Sequence, residues 1–149
     1  MKKLFLGSGI LLVFLLLIFY NQKKAKREIL MSQTPIYSIA LVDSQSNAPA
    51  NQPVEFIWKV TAPDTATTPM TTIYYSPVSS PSALTTSDSP QAVGYSYNLT
   101  DYLDGQFFLP DTFSATASFF KGTIFYRAYA RVGNQHLWSE EAKIEIHEK

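Results

Sequence analysis

His136 and Ser139 stand three positions apart near the end of a 149-residue chain, and an imidazole beside a hydroxyl is the pair that nucleophilic hydrolysis uses. The other histidine is His147, and both lie on or beside what reads as a final β-hairpin. Ser139 directly follows Trp138 and reads more simply as the entry to a strand than as a nucleophile. No acid, base and nucleophile converge in the pattern, so an enzyme is not expected. Asp101, Asp104 and Asp111, with Asn98 nearby, carry oxygen donors of the kind calcium takes. Asp101-Tyr-Leu-Asp104-Gly, however, has too few ligands for a calcium loop, and Asp-Gly is an ordinary turn. No glycine-rich phosphate loop follows a strand, no His-x-x-x-His motif occurs and the chain has no cysteine. Metals and cofactors are therefore not expected, and the fold needs no disulfides. Asn98-Leu-Thr100 is a glycosylation acceptor triplet, meaningful only if the domain is exported by a cell with that machinery.

What remains is contact chemistry. Tyr95, Tyr97, Tyr102, Phe107 and Phe108 crowd a stretch rich in loop signals. Two readings stay open. These aromatics plug the open end of a β domain or cover one of its sheets, or they form a patch that binds a protein or glycan partner.

The elements that must position such a patch begin with an anchor. Leu4 to Tyr20 is a run of seventeen residues without a charge. As a helix it reaches about 25 Å, and Asn21, Gln22 and snorkelling lysines extend it enough to span a bilayer. Lys2 and Lys3 resemble the basic start of a secretory signal, but Ile18-Phe-Tyr-Asn-Gln22 offers no small-residue cleavage site. Residues 1–22 are therefore expected to be an uncleaved transmembrane signal-anchor in contact with lipid through 4–20. An atypical cleaved signal is the alternative. Residues 23–33, with Lys23, Lys24, Lys26 and Arg27, read as a basic juxtamembrane stalk facing anionic headgroups. The flanking charges, three before the run and four after it, lean toward a cytoplasmic C-terminus. The Ser/Thr- and aromatic-rich, lysine-poor character of the rest points outside the membrane, and that is the orientation expected.

The formal charge of zero hides a division: residues 1–31 carry six basic and one acidic side chain, residues 32–149 six basic and eleven acidic. The first part is thus +5 and the second −5. An acidic head argues against nucleic-acid binding, which needs a basic face.

Residues 34–149 are the size of one domain and hold no sustained helical periodicity. Ile36 to Val42 reads as a first strand. Val54, Phe56, Trp58 and Val60 alternate with Glu55, Ile57 and Lys59, giving one apolar and one mostly solvated face. Thr71 to Tyr75 is a third strand. Pro77, Pro81 and Pro90 make Ser76 to Gln91 an edge meander or loop. Ala92 to Tyr97 reads as a strand, Asn98 to Asp111 as a long aromatic loop, and the alternation of Phe113, Ala115, Ala117 and Phe119 as another strand. Thr123 to Val132 alternates Ile124, Tyr126, Ala128 and Ala130 against Phe125, Arg127, Tyr129 and Arg131, and Gly133-Asn134 turns the chain back. Ala142, Ile144 and Ile146 alternate in the closing strand. The expected core includes Phe56, Trp58, Tyr126, Ala128 and Ile144, with Trp58 filling the space over Ala128 and Ala130.

The segment Gly122-Thr-Ile-Phe-Tyr-Arg-Ala-Tyr-Ala-Arg-Val-Gly-Asn-Gln-His-Leu-Trp-Ser-Glu-Glu resembles the last two strands of a fibronectin type III domain, in its Gly-Thr start, Arg-x-x-Ala stretch and closing Trp-Ser. Trp58, Tyr74 and Tyr75 also stand where that family keeps aromatics. Phe125 stands where its corner tyrosine falls, and Ser76 to Asp111 is longer than usual. The resemblance implies an all-β, antiparallel, immunoglobulin-like sandwich of about seven strands, behind the separate transmembrane helix. It also implies adhesion or ligand display at the cell envelope, not catalysis. The alternative is a structural filament subunit, because an apolar N-terminal helix joined to a β-sandwich resembles archaeal pilin-like and archaellin subunits.

Overall fold

Two-residue alternation over Pro53–Thr61 builds the strand at the centre of the smaller sheet, with Val54, Phe56, Trp58 and Val60 turned inward and buried. Each such side chain contributes roughly 1.5–3 kcal/mol on burial, so the row is a main source of cohesion. The structure is a computed structural model that describes residues 37–63 and 65–148. The segments 1–22 and 23–33, the run 4–20 and the flanking Lys2, Lys3, Lys23, Lys24, Lys26 and Arg27 lie outside the described residues. Among the described residues every regular element is a strand, and no helix is long and apolar enough to cross a membrane.

The strands in chain order are β1 (Ser38–Asp43), β2 (Asn47–Pro49), β3 (Pro53–Thr61), β4 (Thr67–Thr68), β5 (Met70–Ser76), β6 (Tyr97–Asn98), β7 (Phe107–Phe108), β8 (Asp111–Ser118), β9 (Gly122–Val132), β10 (Gln135–Trp138) and β11 (Ala142–His147). One sheet has the order β1-β3-β8, and a larger one has the order β2-β11-β9-β5-β6 with β10 also on β9. β4 and β7 form a separate short ladder. Among the described residues all pairings are antiparallel except β2 with β11, which run parallel. The result is a β-sheet-rich, sandwich-like fold compatible with the immunoglobulin and fibronectin III classes.

Phe56, Trp58, Tyr126, Ala128 and Ile144 are all buried in one core between the sheets, as expected. Trp58 is fully enclosed at 0% exposure, and its indole N–H donates to Thr71 Oγ1 at 2.7 Å. Thr71 pairs across the ladder with Ala130, and its hydroxyl donates to the Tyr129 carbonyl at 2.7 Å. The small Ala130 thus lies beside the threonine that holds the ring. Gly133 adopts φ 59°, which glycine accepts without strain, and closes the two-residue turn from β9 to β10.

Two features depart from simple alternation. Tyr126 through Ala130 are buried consecutively, because β9 is covered on both faces. Tyr126, Ala128 and Ala130 face the core, whereas Tyr129 joins Tyr74 and Tyr95 in a second apolar cluster, with Trp138 packed against it. The second feature is a correction: Ala92 to Tyr97 is not a strand. Only Tyr97 and Asn98 pair, with Tyr75 and Tyr74. The preceding residues instead bring the Tyr95 hydroxyl onto Arg127, a path that takes their backbone off the ladder. The expected aromatic loop after Asn98 likewise contains the short strand β7.

Candidate functional site

Arg127 sits mid-strand at 2% exposure, so its charge must be met inside the protein. Its Nε donates to the Tyr95 hydroxyl at 2.8 Å, one terminal nitrogen to the Ser139 carbonyl at 2.8 Å, and the other to the Ser80 and Ser82 carbonyls at 3.1 Å each. Tyr95 donates in turn to Glu141 at 2.5 Å, which also accepts from Ser79 Oγ at 2.6 Å and the Ser80 backbone N–H at 2.7 Å. Desolvation opposes ionisation of Glu141, but the hydrogen bonds from Ser79, Tyr95 and Ser80 and the charge of Arg127 outweigh it and hold its carboxyl below the ordinary range. Desolvation, reinforced by Glu141, pushes the Tyr95 hydroxyl well up, so it remains a donor. This network fastens the proline-containing loop after β5 to the outer face of the larger sheet. Trp138 Nε1, donating to the Asp88 carbonyl at 2.8 Å, adds a further tie. It is a structural clamp, and it accounts for Tyr95.

Ser139 belongs to the same construction. Three steps along β9, from Tyr129 to Tyr126, face four on the returning chain, from Trp138 to Ala142, so one residue is inserted as a bulge. Ser139 Oγ accepts the Ala128 N–H at 2.8 Å and donates to the Glu140 carbonyl at 2.9 Å. Its hydroxyl is thereby spent on backbone repair. His136 Nδ1 lies 2.7 Å from the Tyr129 hydroxyl, whose pKa burial pushes up to about 12. Among the described residues no three His, Asp or Glu side chains, Asp101, Asp104 and Asp111 included, form a group that could hold a metal ion.

The remaining aromatics divide by position. Tyr102 packs edge-on against Trp58, Phe107 and Phe113, and its hydroxyl donates to the Ser114 carbonyl at 3.2 Å. Its φ of 56° is unusual for a bulky residue and is held by this packing and by the Thr71 N–H bond to its carbonyl at 3.0 Å. Phe107 joins the same group through Phe113, whereas its neighbour Phe108 is 72% exposed. Tyr97 is 55% exposed and stacks on Tyr75 with centroids 5.5 Å apart. Asn98 donates its side-chain amide to the Leu99 carbonyl at 2.8 Å. The five residues therefore do not form one patch.

An open apolar site lies where only Tyr97 of those five reaches. A groove of about 680 Å³ is lined by Tyr75, Tyr97, Phe119, Phe120 and Ile124, with Ser118, Lys121 and Thr123 among its polar lining. Phe119 packs edge-on against Tyr75 and Phe56, which fixes the floor. Phe120 is 83% exposed on its rim. Its signal was present in the sequence: alternation through β8 turns Phe119 inward and leaves the next aromatic outside. Ser38 pairs with Thr61 at one end of β3, and Ser118 pairs with Pro53 at the other. The groove thus lies about 25 Å along the sandwich from Ser38, where β1 begins. No family model, curated protein or solved structure matches the chain.

Proposed function

We propose that this protein is a membrane-anchored, non-catalytic binding module of the cell envelope. Its head is a fibronectin III-like sandwich carried on the extracellular or periplasmic side. The carrying observation is the aromatic groove, whose Tyr97 and Phe120 are presented to solvent at the end of the sandwich away from Tyr37. Exposed rings on a rigid floor supply contact area with little side-chain entropy to lose. The strand order, the enclosed Trp58 and the Trp138-Ser139 bulge support the fibronectin III-like assignment.

Cells displaying the full chain are compared with cells displaying Tyr97→Ser/Phe120→Ser at equal surface amounts. Reduced adherence or aggregation is expected of the variant. Unchanged adherence removes the groove as the binding surface.

A further inference from the structure

The groove borders an unfinished ladder. Among the described residues β8 is the last strand of its sheet, and one side of its backbone has no neighbouring strand. Which residues face that side follows from their bonds: Ser114 accepts from Tyr102, which is not on β3, and Phe119 accepts from Asn51, just before β3. Thr112, Ser114, Thr116 and Ser118 therefore direct their N–H and C=O groups outward. The first half of this edge is capped, because the Thr112 N–H donates to Asp111 Oδ1 at 2.7 Å and the Ser114 carbonyl accepts Tyr102. Among the described residues nothing caps Thr116 or Ser118. The open half of the edge leads directly to Ser118, Phe119 and Phe120 of the groove.

An occupant must suit both parts. Outward N–H and C=O groups in strand geometry call for a polypeptide backbone. Among the described residues Lys121 is the only charged one lining the groove, and it pairs at the surface with Glu148 at 3.1 Å. Thr112 to Ser118 carry no charge. Charge complementarity therefore selects an uncharged segment. A second copy offering its own β8 would bring only Thr and Ser on its outward-facing side and would leave the aromatic groove unfilled. We propose that Thr116–Ser118 and the groove together receive an extended, uncharged segment of a different protein, which adds a strand to β8 and lays one large apolar side chain among Tyr97, Phe119 and Phe120.

This inference rests on the binding-module reading and is tested separately from it. The full chain in detergent micelles is titrated with a fluorescent peptide of alternating Thr and Val around one central Phe, made soluble by a polyethylene glycol tail. Anisotropy should show saturable binding, and the Thr116 and Ser118 amides should exchange more slowly when it is bound. Thr116→Pro, or N-methylation of the peptide's edge-facing amides, should each weaken binding about tenfold by removing ladder hydrogen bonds. The methylated peptide needs no variant, so the test survives if Thr116→Pro misfolds. Equal binding of methylated and parent peptides overturns strand addition and leaves a side-chain groove. Dimerisation that protects the same amides without peptide overturns it in favour of self-association. Absence of peptide binding overturns it as well, and the adherence assay then decides whether the binding module stands.

Discussion

Thr71 links the two halves of the core through a single oxygen. It accepts the Trp58 indole N–H and donates to the Tyr129 carbonyl, both at 2.7 Å. Thr71→Val keeps the shape and strands a buried donor, so urea unfolding of residues 32–149 should show a loss of about 1–3 kcal/mol. Trp58→Ala removes the whole fully enclosed ring and should cost about 3–5 kcal/mol in the same measurement. A Thr71→Val variant as stable as the parent would mean that the indole finds another partner. Gly133→Ala places a Cβ at φ 59° and should cost about 1–2 kcal/mol by thermal melting, through backbone strain alone.

At the scale of elements, the loop after β5 is held by charge and hydrogen bonds more than by a ladder. Glu141 accepts from Ser79, Ser80 and Tyr95, with Arg127 nearby, and its folded pKa lies below the ordinary value. A depressed carboxylate stabilises the fold fully above its unfolded pKa, and that contribution is lost as pH falls through the folded value. The stability gap between the parent and Glu141→Gln should therefore be wider at neutral pH than in acid below the carboxylate range. A gap independent of pH would remove Glu141 from the clamp's electrostatics. Arg127→Met should speed amide exchange in the Ser79–Tyr95 loop while β3 amides stay slow, because β3 belongs to the opposite sheet.

For the whole molecule, the proposal requires a head outside the membrane. Protease added to intact cells should digest the head, with released head as the control for digestibility. Protection in cells would move the head to the cytoplasm and end the adhesion reading. Recovery of the protein in sheared filaments, with the N-terminus cut beside Leu4, would favour the filament subunit instead. Circular dichroism of residues 32–149 should be dominated by strand signal, in keeping with the described elements.

Strand identity was legible in the sequence wherever one face is dry and the other wet. Phe56 and Trp58 alternate with Glu55 and Lys59, and burial follows that period because successive side chains leave a strand on opposite faces. The turn at Gly133 was legible for a local reason too, since few residues accept its φ. The charge division and the apolar run Leu4 to Tyr20 are likewise properties of the sequence itself. Tertiary structure decided what depends on a second surface. Arg127 and Tyr129 alternate like solvent-facing residues, yet the loop after β5 folds over them and supplies carbonyls and the Tyr95 ring from positions 32 to 47 residues away. The same loop took Ala92 to Ser96 off the ladder, although local composition suits a strand. Tyr102, Phe107 and Tyr97 have similar chemistry and lie close in sequence. Only the packing of Trp58, Phe113 and Tyr75 sorts them into plug and groove, because burial is a property of neighbours brought together by the fold.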